Sequence, residues 1–269
     1  MVKIIIALLP LILLTCCNGY NKIYTALNFA ESIRRLNLSF GNIDTLPAVI
    51  GNFPNLRKLK LSDNKIKFLP PEIGKLSKLR KLYLNNNKIE LLPPEIGELK
   101  SLEKLILSNN KLMMLPAEIG QLPGLKYLSA QNNRLNFLPS EIGNLSNLEF
   151  LNLKFNQLGN LPPEIGRLKN LTFLYLNNNK ITALPAEIGM LENLKFFHIG
   201  KNYLEFLPIE IGDLYRLIEL NVAESGTMLK VPESVCNLKY LEDFYVDYTA
   251  LIPFCLQARR GHRFRIIIQ

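Results

Sequence analysis

Leu69-Pro70-Pro71-Glu72-Ile73-Gly74-Lys75-Leu76-Ser77-Lys78-Leu79-Arg80-Lys81-Leu82-Tyr83-Leu84-Asn85-Asn86-Asn87 is one turn of a pattern that fills most of this 269-residue chain. Leu82 and Leu84 flank a residue of different character, the period-2 signature of a short strand with one buried face. Outward from this stretch, Leu-Pro recurs every 23 residues from Leu46-Pro47 to Leu207-Pro208, then as Val231-Pro232 after a step of 24. The apolar pairs keep the same step, from Leu36/Leu38 to Phe244/Val246, which makes ten units. Such a period means a solenoid: one unit cannot bury its apolar face alone, so units stack and share a continuous core.

An Asn follows the second member of the pair by three residues at Asn64, Asn87, Asn110, Asn133, Asn156, Asn179 and Asn202. The chain must leave the sheet sharply there, and an amide both donates to and accepts from backbone groups that stacking otherwise strands. These asparagines are therefore read as structural. Gly41, Ser225 and Thr249 hold the slot in the terminal units, as suits atypical caps. Glu72-Ile73-Gly74 and its equivalents predict a short helical or 3-10 turn on the opposite side. Pro suits its start, Ile points to the core, and Gly permits either tight packing or a positive φ.

These slots resemble the leucine-rich-repeat family, in its 23-residue Leu-Pro-x-Glu-Ile-Gly-x-Leu-x-x-Leu-x-x-Leu-x-Leu-x-x-Asn form, over about residues 28–251. The resemblance implies an α/β leucine-rich-repeat solenoid, with a parallel sheet on the concave face and short turns on the convex side. It also implies protein recognition without catalysis.

Composition agrees with a globular class: 48% of residues are hydrophobic and 20% charged. Lys and Arg total 32 against 23 Asp and Glu, a net charge of +9. Lys3 and four tail arginines (Arg259, Arg260, Arg263, Arg265) account for part of that, leaving about +4 on the body. So weak a field argues against nucleic acid as a partner. Cys16, Cys17, Cys236, Cys255, His198 and His262 have no zinc-site spacing, and no metal, cofactor or small-molecule substrate is expected.

The N-terminus has a cationic start at Lys3 and an apolar run from Ile4 to Leu14, shorter than the ~20 residues needed to span a bilayer and suited to a secretory leader. Its end, Leu14-Thr15-Cys16-Cys17, resembles the lipobox of bacterial lipoproteins. That resemblance implies acylation at Cys17, with Cys16 the alternative, and a place at the bacterial cell envelope held by a lipid anchor. The expected organisation is a leader over 1–17, one repeat domain over 18–251 and a basic tail or cap over 252–269. The tail either covers the last sheet edge as an extra strand or touches an anionic surface. Cys236 and Cys255 are either a disulfide closing the cap or free thiols.

Recognition is expected on the outward strand positions, which fall into three zones. Lys58, Lys81 and Lys104 make the first basic. Tyr127, Phe150, Phe173, Tyr175, Phe196 and His198 make the middle aromatic. Glu219, Asp243 and Tyr245 make the last acidic. Ten strands at ~4.8 Å span roughly 43 Å, enough for a protein segment or small domain. Exposed aromatics are hot-spot residues, and flanking charges of opposite sign orient a partner. His198 is read as a contact residue, because no Ser, Cys or carboxylate is evident to form a relay with it. Two other readings stand beside protein recognition: glycan or cell-wall binding by the aromatic strip, and an intracellular scaffold for small-GTPase-type partners.

Overall fold

The computed structural model describes residues 19–258 and 264–268. Its strands are β1 (Arg35–Asn37), β2 (Lys58–Lys60), β3 (Lys81–Tyr83), β4 (Lys104–Ile106), β5 (Tyr127–Ser129), β6 (Phe150–Asn152), β7 (Phe173–Tyr175), β8 (Phe196–His198), β9 (Glu219–Asn221), β10 (Asp243–Val246) and β11 (Arg265–Ile268). They form one parallel sheet in chain order. Each strand pairs with its neighbour in unshifted register, so Leu59 meets Leu82 and Leu82 meets Leu105. A slip of one residue would turn the whole Leu face to solvent, which fixes this register.

Behind the sheet the chain returns through five-residue 3-10 turns, from Ala48–Asn52 to Glu233–Asn237. Each begins after a Pro with φ near −70°, such as Pro70 at −71°, which pre-sets the chain for the turn. The two apolar strand positions, the turn Ile and the connecting Leu residues interdigitate into one core. Leu128, Ile142 and Leu151 are completely buried in it. Each buried Leu or Ile contributes about 1.5–3 kcal/mol by leaving water.

Of the two roles open to the turn glycine, the structure has only close packing, because no described Gly has positive φ. A Cβ at Gly143 would stand 2.4 Å from the Glu164 carbonyl oxygen of the next turn. Gly is thus what lets successive turns stack as closely as successive strands.

The ends of the stack are closed by elements of another kind. Helix α1 (Gly19–Leu27) buries Ile23 and Ala26 against the first unit, and Gly19 N–H donates to the Gly41 carbonyl at 3.1 Å. This helix falls outside the repeat pattern and was not anticipated. At the other end, helix α2 (Phe254–Ala258) buries Leu256, and β11 pairs with β10 as an edge-covering strand. Cys236 and Cys255 are joined as a disulfide with Cα atoms 6.1 Å apart, one of the two states the sequence left open.

Candidate functional site: the outward face of the sheet

Unshifted pairing converts the first residue of every strand into a single column across the face. It reads Arg35, Lys58, Lys81, Lys104, Tyr127, Phe150, Phe173, Phe196, Glu219, Asp243, Arg265. The three zones expected from the sequence therefore lie in a line. A second column beside it carries Tyr83, Tyr175, His198 and Tyr245.

The aromatic side chains do not stand singly in solvent; they pack on one another. Tyr127 and Phe150 stack with centroids 4.1 Å apart and planes within 4°. Phe173 and Phe196 stack at 4.8 Å and 5°. Phe150 also touches Phe173 at 5.8 Å and Tyr175 at 5.5 Å, joining the two stacks. All five are half-buried. Lys104 closes one end, its ammonium 3.8 Å from the centre of the Tyr127 ring, and Lys154 lies 4.5 Å over Tyr175. Burial pushes the Tyr127 and Tyr175 phenols up and the Lys154 ammonium down from their ordinary values.

Where the aromatic zone meets the acidic one, His198 Nε2 lies 2.7 Å from Glu219 Oε1, with the side chains 17% and 21% exposed. This corrects the sequence reading that no carboxylate reaches His198: parallel pairing sets Glu219 on the adjoining strand. Desolvation pulls the His198 pKa down, Glu219 opposes it, and Lys154 adds to the fall. Asn177 Oδ1 is buried without a partner beside this pair. A Cβ at neighbouring Gly200 would come within 2.9 Å of Asn221 Oδ1 and 3.3 Å of Asn177 Nδ2, so the glycine opens room for those amides.

The acidic end is less free than the sequence suggests. Arg265 grips Asp243 with two bonds, Nε–Oδ1 at 2.7 Å and Nη2–Oδ2 at 2.8 Å. Glu224 pairs with Lys201 at 3.2 Å, and Asp247 accepts from the Glu224 N–H. Tyr245 lies half-buried in the same zone, its phenol raised first by desolvation and then by Glu219 and Asp243. At the opposite end Lys58 and Lys81 face one another with no carboxylate between them.

The Asn ladder lies beside this face. Asn133 Oδ1 accepts from Leu112 N–H at 3.0 Å, while Nδ2 donates to the Leu107 and Ala130 carbonyls at 3.0 Å. Asn64, Asn87, Asn110, Asn156, Asn179 and Asn202 repeat this arrangement, each accepting from the N–H two positions past the preceding slot. In the Ser225 unit the hydroxyl donates to the Ile199 carbonyl at 3.0 Å, and the Ser225 backbone carbonyl takes the Leu204 N–H.

Two features of the outer rim escaped sequence reasoning. The residue before each ladder Asn is left-handed, including Asn86 at φ 57°, Asn109 at 59°, Asn132 at 55° and Phe155 at 55°. The first three join through their amides, Asn109 to Asn86 at 2.6 Å and Asn132 to Asn109 at 2.8 Å, and Asn86 continues to Asp63 at 2.7 Å. The paired Asn-Asn dipeptides carried the signal, since Asn is among the few residues that enter this region readily. Separately, Asn147, Asn170 and Asn193 each donate to a carbonyl 24 residues earlier at 2.8 Å. Cys17 lies outside the described residues. Among those residues no helix is long and apolar enough to cross a membrane.

The family described as leucine-rich repeat region matches residues 11–112, 72–151, 116–181 and 164–252. Among solved structures, the chain resembles the Leptospira interrogans LRR protein LIC12759 at 30% identity and a TM-score of 0.72, over 91% of this chain and 80% of that one. A TDR receptor is similar at 27% identity and a TM-score of 0.79, over 92% of this chain and 45% of that one. The plant peptide hormone receptor RGFR1 in complex with RGF2 follows at 28% and 0.55, over 88% and 47%. The chain thus spans less than half the length of those two receptors. No match is found among curated proteins. The repeat, its single parallel sheet and these matches together place the chain in the leucine-rich-repeat family.

Proposed function

We propose that this protein is an exported, non-catalytic binding module that holds a protein partner against the outward sheet face, centred on the Tyr127–Phe150–Phe173–Phe196 stack. The observation that carries the reading is that stack itself. Four aromatic rings in one column, half-buried yet open on one side, make a rigid apolar platform whose ordering cost folding has already met. Lys58, Lys81 and Lys104 lead up to it, and Glu219, Asp243 and Tyr245 lie beyond. A long-range charge gradient of this kind steers and orients a partner more than it adds affinity. A similar solved protein is a plant peptide hormone receptor in complex with RGF2, which supports a peptide or protein partner for this chain.

The leader over residues 1–17 and acylation at Cys17 place the module on the bacterial cell envelope, its repeats over 18–251 projecting from a lipid anchor. Radiolabelled palmitate should enter the wild type and not Cys17→Ala, whereas Cys16→Ala should keep it. Label lost only with Cys16→Ala moves the anchor, and no label in any background removes it.

Recognition is tested by running a pull-down from the producing cells beside a carbohydrate array. Retention of one protein, lost on Phe173→Ala or Phe196→Ala and kept on Lys75→Ala, supports the reading. Binding on the array alone, lost with the same aromatic variants, would replace it with glycan stacking on the strip.

A further inference from the structure

At the N-terminal end of the solenoid, Arg34, Arg35, Arg57, Lys58, Arg80 and Lys81 line one groove of about 410 Å³, with Glu103 at its far end. The sheet ladder forces these cations together. The Arg34 carbonyl accepts from Arg57 N–H at 2.8 Å and Lys58 N–H at 3.1 Å, and the Arg57 carbonyl accepts from Arg80 and Lys81 at 2.9 and 3.1 Å. Two columns of like charge therefore run side by side, stepping by the ~4.8 Å separation of adjacent strands. Desolvation, then Lys60, Lys81 and Arg35, hold the Lys58 ammonium below its ordinary value.

The same edge is neutralised further along. The column of Arg34, Arg57 and Arg80 continues as Glu103, Lys126 and Glu149, which alternate in sign. They pair: Arg80 with Glu103 at 3.5 Å and Lys126 with Glu149 at 3.3 Å. The repeat accommodates alternation, yet its first three units keep an unbroken cationic run in which, among the described residues, Arg34 and Arg57 make no ion pair. Folding alone gains nothing from that run, since like charges at this spacing repel. An anionic ligand would remove the repulsion.

The spacing narrows the ligand. An extended acidic peptide offers same-side carboxylates about 6.8 Å apart, out of step with a ~4.8 Å ladder. Single-stranded nucleic acid binds on aromatic platforms, and no aromatic residue lines this groove. Arginine forks match the tetrahedral oxyanion of a sulfate ester bidentately, and a sugar ring is about as long as one strand step. We infer that this groove binds a linear sulfated polysaccharide lying across β1–β3, with successive sulfates held by the Arg34–Arg57–Arg80 column and the Arg35–Lys58–Lys81 column. This ligand is additional to the partner proposed for the aromatic face; it shares Lys58 and Lys81 with the basic approach to that face and adds Arg34, Arg57 and Arg80, which lie off its strands.

A heparin-derived oligosaccharide serves as the probe, with its desulfated counterpart, polyglutamate and oligothymidylate as comparators, titrated calorimetrically against the full chain. The sulfated probe should bind, weakening steeply between about 50 and 200 mM salt as counterions are released. The double variant Arg34→Gln/Arg57→Gln should lose about tenfold or more in affinity, whereas Lys126→Gln and Phe173→Ala should change it less than about twofold. Melting supplies a second readout. The double variant should melt at or above the wild type without ligand, because repulsion is relieved, and should lose the rise in melting temperature that the probe gives the wild type. Equal binding of the desulfated chain, tighter binding of polyglutamate or oligothymidylate, or an equal loss with Lys126→Gln would each overturn the inference.

Discussion

Phe173 and Phe196, 23 residues apart in sequence, lie face to face with ring centroids 4.8 Å apart and planes 5° from parallel. The contact follows from Cα pairing of the two residues across β7 and β8, so the repeat length aligns the rings. Because the rings pack on one another along the column and stay half-open to solvent above it, truncation acts on both folding and recognition. Phe173→Ala should cost about 1.5–3 kcal/mol in urea unfolding, because it loses ring contacts with Phe150, Tyr175 and Phe196 worth about 0.5–1.5 kcal/mol each, and less than the 3–5 kcal/mol of a core Phe. Partner binding by the folded variant should weaken separately, by about 2 kcal/mol if the stack is a hot spot. A folding loss of core size would mean that the ring serves the interior.

Asn133 should behave oppositely. It satisfies one buried N–H and shares two buried carbonyls with Asn110 and Asn156, so Asn133→Ala strands the Leu112 N–H and leaves the Leu107 and Ala130 carbonyls with one amide donor each. At about 1–3 kcal/mol for the orphaned N–H and about 0.5–1.5 kcal/mol for each carbonyl bond lost, the total should reach at least about 2 kcal/mol. Ser225→Ala, which removes one hydroxyl bond near the end of the array, should cost about 1 kcal/mol. Equal unfolding midpoints for wild type and Asn133→Ala would remove the structural role.

Phe155 has φ 55° while more than half exposed, in the slot where other units place Asn. A bulky side chain held there stores strain that Asn avoids. Phe155→Asn should therefore stabilise the protein by about 0.5–1 kcal/mol, whereas Asn109→Val, which puts a β-branched residue in the same conformation, should destabilise it. Differential scanning calorimetry on the pair decides between strain and indifference.

The His198–Glu219 contact has a pH signature. Burial lowers the folded pKa of His198 below its unfolded value near 6.5. Above that value both states are neutral at this site and it contributes nothing to the pH dependence. As pH falls through it, the unfolded chain takes the proton first and stability drops. His198→Gln should flatten the stability curve below about pH 6.5, judged as a difference from wild type. By NMR, Glu219→Gln should move the His198 titration lower and Lys154→Ala should move it higher, since Glu219 raises this pKa and Lys154 lowers it. Tyr175 packs edge-on to the imidazole at 4.9 Å and should report the same transition. Identical titrations in all three proteins would deny the coupling.

The repeat and its register were legible because a 23-residue step and a Leu-x-Leu pair leave only one way to stack. The ladder asparagines were visible for the same reason, each recurring at a fixed offset from a strand. What escaped was whatever depends on cross-strand neighbours or lies outside the period. Glu219 reaches His198 only because β8 and β9 pair without shift, a contact that reading each unit separately passes over. Arg265 neutralises Asp243 because the tail adds β11 to the sheet, which softens the acidic zone that strand residues alone describe. Helix α1 has no Leu-x-Leu pair and no Asn at the ladder offset, and it left no periodic trace. The stacking of the aromatics also needed three dimensions, since sequence shows where rings recur but not that each shields the next.

The account turns on whether the aromatic stack is where a partner sits, and site-specific photocrosslinking on the producing cells measures that directly. A photoreactive phenylalanine analogue is placed in turn at Tyr127, at Phe150, and at exposed Lys75 and Glu98 on the opposite side of the solenoid. The prediction is one discrete protein adduct from the two sheet-face positions, abolished when Phe173 and Phe196 are both changed to Ala, and none from Lys75 or Glu98. Adducts of equal yield from both sides, or from Lys75 and Glu98 alone, would contradict it and move the working surface off the sheet.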